Sequence, residues 1–151
     1  MKVKKVNRYW CEFCKKAGLS SGHMRRHENG CTLNPGRICG VCKMDHGDFS
    51  PTNPAEQKPI TEMIALLPDS DKFKVDNETG GFYFSNDLTK AVNEALPKLR
   101  EASGNCPACI MAALRQRHIP VPMATDFNWT KEMGEIWSNI NESRRGADDY
   151  Y

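Results

Sequence analysis

Apolar positions along this chain recur in short, separate stretches, each with its own period. Leu88, Val92, Ala95, Leu96 and Leu99 share one face at helical spacing and predict an amphipathic helix over residues 87–102, with Pro97 a candidate for a bend and a stop at Ser103-Gly104. A second helix follows through Ile110, Met111, Ala113 and Leu114 to about Arg117, with Pro107 suited to its first turn. Residues 59–67 read as a shorter helix with a proline in its first turn, ended before Pro68. Between these lie two aromatic or β-branched runs, 73–75 and 82–84, around the turn-rich Asp-Asn-Glu-Thr-Gly-Gly, a hairpin signature. Near the C-terminus Trp129, Met133, Ile136, Trp137 and Ile140 predict a helix over 128–143, capped by Asp126. Such a stripe is expected to pack back on the body after an extended 119–122 connection, and residues 146–151 to form a short, acidic, mobile tail.

Composition limits how much these elements can bury. Of 151 residues 39% are hydrophobic and 26% charged, with nine prolines and eleven glycines, so the core is expected to be modest and in need of cross-links. No run of eighteen apolar residues is present, and the basic opening leads into Val-Asn-Arg-Tyr-Trp, not an apolar stretch. The expectation is an intracellular protein with no membrane association.

In a reducing compartment seven cysteines point to metal ligands or catalytic thiols before disulfides. Cys11 and Cys14 stand two residues apart, twelve residues then precede His27, and three more precede Cys31. The other four form the pairs Cys39-Gly-Val-Cys42 and Cys106-Pro-Ala-Cys109, sixty-three residues apart. Seven thiolates and one imidazole thus fill two tetrahedral zinc sites with none left over. Closing the long loop between the pairs is tolerable, because closure entropy grows only logarithmically with length. His23 competes with His27 as ligand, four residues away on the same helix, and the spacing to Cys14 and Cys31 favours His27.

Residues 9–31 resemble a Cys2His2-type zinc finger whose last ligand is Cys31 instead of histidine. Tyr9 holds the aromatic position before the first ligand, Met24 stands where the family has its core leucine, and Ser20 to His27 reads as the finger helix, with serine at its mouth and Gly30 at its exit. Glycine at position 18 departs from the family's core phenylalanine, and Leu19 or Phe13 is expected to fill that space. Over 39–118 the order of a knuckle, a hairpin and a helix supplying the last two ligands resembles a treble-clef zinc fold at the level of architecture, with an extra helix before the final pair.

Two catalytic alternatives compete with a purely structural use of the cysteines. Cys-Pro-x-Cys at a helix start also resembles a thioredoxin-like redox motif, which requires a buried strand before it; here a helix end precedes it. A nuclease of the HNH type, which some treble clefs support, would have to draw on Asp45, His46, Asn105 and His118, and the hairpin holds no histidine. His46 reads better as a loop residue or neighbour of the zinc, and His118 as a cation at a helix C-terminus.

Charge separates the two ends of the chain. Residues 1–43 hold ten Lys or Arg against Glu12 and Glu28, a formal +8, while the remainder is acidic and brings the whole to +2. Fully ionised zinc-thiolate sites subtract about one charge for three cysteines and two for four. A basic N-terminal face survives this. If the finger docks as its resemblance implies, Ser20, Gly22, His23 and Arg26 are reading positions, with Lys15, Lys16 and Arg25 as phosphate contacts. One finger reads about three base pairs, so residues 1–8 would serve as an additional basic arm.

These observations predict an α+β protein with two Zn2+. Its expected parts are a basic arm and finger (1–31), a linker (32–38), a four-cysteine domain with a hairpin and three to four helices (39–122), and a C-terminal helix with tail (123–151). The expected role is non-catalytic nucleic-acid binding, or else service as a protein adaptor through the finger and C-terminal helix, with no small-molecule substrate.

Overall fold

A computed structural model describes residues 1–45 and 60–148. His46, Pro59 and residues 149–151 lie outside the described residues. The chain is α+β, with two small hairpins and six helices among the described residues.

The N-terminal unit is a ββα arrangement. Strands β1 (Tyr9–Trp10) and β2 (Ala17–Gly18) pair antiparallel, with Tyr9 opposite Gly18 and Trp10 opposite Ala17. Helix α1 (Ser21–Gly30) packs on them. Ser20 caps α1, its hydroxyl accepting from the His23 N–H at 3.3 Å, one of the amides a helix start leaves free. The core of this unit is Cys11, Met24 and Cys31, with Tyr9, Cys14 and Leu33 against it. That is too little apolar surface to hold a fold alone.

The space opposite Gly18 is filled by Met24, and neither Leu19 nor Phe13 does it, contrary to expectation. A Cβ on Gly18 would sit 2.7 Å from Met24 Sδ, whereas Leu19 is 69% exposed and Phe13 is exposed as well. The unbranched thioether reaches where a leucine would stop short, so the glycine and the methionine compensate one another.

The larger body is built around α5 (Pro107–Gln116). Every residue from Pro107 to Leu114 is buried, the signature of a helix enclosed on all sides. Around it pack α3 (Ile60–Ala65), α4 (Asn86–Ser103) and the start of α6 (Trp129–Asp148). Buried Leu88, Val92, Leu96 and Leu99 confirm the face read for α4, which runs unbroken through Pro97 and ends on Gly104 at φ 59°. Only glycine adopts that left-handed cap without cost. Strands β3 (Lys74–Asp76) and β4 (Phe82–Phe84) form the second hairpin in the expected place.

Four expectations change. Cys39–Cys42, expected as a knuckle, opens a short helix α2 (Gly40–Asp45), whose Val41 and Cys42 pack against the main core. The 119–122 connection is not merely extended, because Ile119 is buried and a 3-10 turn follows at Val121–Met123. Asn128, not Asp126, caps α6: its side-chain oxygen accepts from the Lys131 N–H at 3.0 Å. Finally, α6 continues to Asp148, into the expected tail, and carries no buried residue over its described side chains. Its stripe is half-buried at Met133, Ile136 and Ile140 and exposed at Trp129 and Trp137. Its first turns are tied down by Arg100, whose guanidinium grips both oxygens of Glu132 at 2.8 Å.

Candidate metal centres

The eight predicted ligands form two separate groups. In each group the donor atoms all lie within 4.8 Å of one another.

The first is Cys11, Cys14, His27 and Cys31. Cys11 and Cys14 flank a tight turn after β1, closed by Cys11 N–H to Lys16 O (2.8 Å) and Lys15 N–H to Cys11 O (3.1 Å), with Lys15 at φ 62°. That conformation disfavours a side chain, so the turn is held by its hydrogen bonds and its ligands. Burial opposes ionisation of Cys11, but N–H groups of Cys14 and Phe13 outweigh it and bring its thiol below the ordinary value. Cys31 has less such help, and burial leaves its thiol raised. His27 in the last turn of α1 brings Nε2 to 3.1 Å from Cys14 Sγ. His23 is exposed and absent from the group, so His27 is the imidazole donor.

The second is Cys39, Cys42, Cys106 and Cys109. Both pairs have the same local construction: the first cysteine immediately precedes a helix and the second falls in its first turn, in α2 and α5. Thiolates there face the positive ends of two helix dipoles. Cys39 Sγ is 3.6 Å from Cys106 Sγ, and Cys42 Sγ is 3.7 Å from Cys109 Sγ. A tetrahedron of sulfurs at about 2.3 Å from zinc has edges of about 3.8 Å, so these separations suit four sulfurs around one ion. None of the seven cysteines is in a disulfide. Hydrogen bonds from Cys106, then Cys109 and Cys42, draw the Cys39 thiol far below the ordinary range, while Cys42 is pushed far above it against Cys106 and Cys109. A cluster that keeps some protons in this way releases them when a metal takes their place.

Donor chemistry and spacing both fit zinc. Three thiolates with one imidazole, and four thiolates, are common tetrahedral sets in its structural sites.

Comparison with protein-family models, curated proteins and solved structures finds no match to this chain. The assignment of the centres rests on their geometry.

One neighbour of the second centre carried no sequence signal beyond its place two residues before Cys39. Arg37 directs Nη1 to Cys109 Sγ at 3.9 Å, and its Nε is buried without a hydrogen-bond partner. A cation there offsets the negative charge of four thiolates around a divalent ion. Segment 32–38, expected as a plain linker, is held in place. Gln116 Nε2 of α5 donates to the carbonyls of Thr32 (2.9 Å) and Asn34 (3.1 Å), and Arg115 donates to the Thr32 hydroxyl (3.0 Å). The helix that supplies ligands of the second centre thus also holds the segment that follows the first centre's ββα unit.

The residues expected to touch nucleic acid, Lys15, Lys16, Ser20, His23, Arg25 and Arg26, all lie at the surface. Ser20 is already engaged as the α1 cap. Of the residues of the weaker catalytic reading, His46 lies outside the described residues. Asn105 (φ 59°) and His118 (φ 57°) sit at the C-terminal ends of α4 and α5, and neither joins a metal-binding group. Before Cys106 stands α4, where a redox motif of the thioredoxin kind would need a strand.

Proposed function

We propose that this zinc protein acts without catalysis as a nucleic-acid-binding protein, contacting phosphates through its N-terminal finger, with a treble-clef-like second domain as its structural base. The observation that carries this reading is the distribution of charge on the finger. Lys15, Lys16, Arg25 and Arg26 are exposed on a small metal-fixed unit, and of its two acids Glu28 is engaged internally, its carboxylate accepting from the Glu12 N–H at 3.0 Å. Cations spread over a rigid surface favour a polyanion, because each neutralised phosphate releases a condensed counterion.

A second reading, a protein adaptor, draws on a different observation. The stripe of α6 is half-buried at Met133, Ile136 and Ile140, but its two indoles are open, Trp129 37% and Trp137 44% exposed. Apolar helix faces of this kind serve protein partners.

The deciding experiment is binding of the zinc-loaded chain to labelled nucleic acid across a salt series, with Arg25→Ala/Arg26→Ala alongside. Affinity that falls steeply with salt and weakens in the double variant is the expected result. No binding at low salt would overturn the proposal and leave the adaptor reading in its place.

A further inference from the structure

The finger has a second face, on the side of its hairpin turned away from α1. Residues opposite one another on paired strands share a face, and neighbours along a strand alternate. Tyr9 and Gly18 face inward, Tyr9 against the Cys11, Met24 and Cys31 cluster and Gly18 against Met24. Trp10 and Ala17 therefore face outward. Trp10 is 57% exposed, and the guanidinium carbon of Arg8 lies 5.6 Å from its ring centroid. Lone surface aromatics are ordinary. This one is set in the most basic part of the chain, between Lys2, Lys4, Lys5 and Arg8 on one side and Lys15 and Lys16 on the other, with an arginine already held over its ring.

We infer that this outer face is a stacking platform for an unpaired base of single-stranded nucleic acid, with Trp10 as the stacking group and Arg8 as the cation that closes over base and phosphate. The inference rests on the proposed nucleic-acid reading and specifies its substrate. In a duplex the faces of the bases are covered by their neighbours, and an indole has nothing to stack on. A single strand offers those faces freely, and an exposed aromatic beside arginine and lysine is the pattern such proteins use. Geometry also separates the two substrates. A duplex docked on α1 would leave Trp10 on the far side of the finger, whereas a flexible single strand can follow the hairpin.

The test uses the full zinc-loaded chain and fluorescein-labelled mixed-sequence oligonucleotides, single-stranded RNA, single-stranded DNA and the matching duplex. Wild type, Trp10→Ala, Trp10→Phe and Arg25→Ala/Arg26→Ala are titrated at fixed salt. Because Trp10 lies outside the finger core, each variant is expected to hold two zinc ions, checked by metal analysis. Trp10→Ala should weaken single-strand binding about fivefold or more, the scale of one stacked base, with duplex binding unchanged and Trp10→Phe close to wild type. Single-strand affinity unchanged in Trp10→Ala, or lost equally on the duplex, would overturn the platform. If Arg25→Ala/Arg26→Ala still weakens binding in that case, the proposed function stands without it. Wild-type chain that binds none of the three probes would overturn both.

Discussion

At the scale of single residues, the metal centres give the sharpest expectations. Cys106 belongs to the four-sulfur group through its 3.6 Å approach to Cys39, and serine is a poor substitute for a thiolate donor. Cys106→Ser should therefore bind one zinc per chain in place of two, with the finger still metallated; unchanged stoichiometry by metal analysis would refute the assignment. Arg37 acts on the same centre from outside its donor set. Arg37→Met should lower zinc affinity there roughly tenfold or more, the scale seen when groups behind a metal's ligands are removed, and Arg37→Lys should restore part of it. Chelator competition would measure both, and equal release rates in all three proteins would remove Arg37 from the site. Gly18 shows the same economy in packing. Gly18→Ala drives a methyl into Met24 and should cost the finger about 1–3 kcal/mol, read from its metal-dependent melting.

At the scale of elements, α4 and α5 form as their apolar spacing demands, while α6 depends on a tertiary contact for its placement. The Arg100–Glu132 pair is only partly exposed, 29% and 18% for the two side chains, so it is screened less than a surface pair. The Arg100 guanidinium holds the Glu132 carboxyl below its ordinary value. A carboxyl lowered in the folded state contributes stability that is full above its unfolded pKa, about 4.3, and is lost as pH falls through the lower folded value. Glu132→Gln should thus melt below wild type at about pH 6, and the gap should close as pH falls below about 4. Both proteins lose metal to protons alike, so the difference isolates the pair. A gap independent of pH would mean that the carboxylate charge is not what anchors α6.

At the scale of the whole molecule, the two centres are joined by hydrogen bonds and not only by chain. Asn34 Nδ2 donates to the Glu28 carbonyl at the end of α1 (2.7 Å), the Ile38 N–H to Asn29 (2.8 Å), and Gln116 fixes the segment between from α5. Finger and body should consequently tumble as one unit. Arg115→Ala/Gln116→Ala should free the finger to reorient and open the bond after Arg37 to trypsin, with both zinc ions retained. NMR relaxation and limited proteolysis would follow this, and equal protection in both proteins would show that the metal sites alone hold the segment.

The sequence by itself determined what depends on spacing. Ligand identity, the division of seven cysteines and one histidine into two sets, the helix face of α4 and the ββα order of the finger all follow from distances along the chain, because metal geometry and helical period are local constraints. Tertiary structure alone decided what depends on contacts between distant segments. It put Met24 beside Gly18, turned the expected knuckle into α2, brought Arg37 and Gln116 to the junction of the two centres, and left the two indoles of the α6 stripe exposed. An apolar stripe states that a helix has a face to cover. Whether the same chain covers it depends on how much surface the other elements have already buried, and α5, packed against α3, α4 and α6, leaves Trp129 and Trp137 of that stripe 37% and 44% exposed.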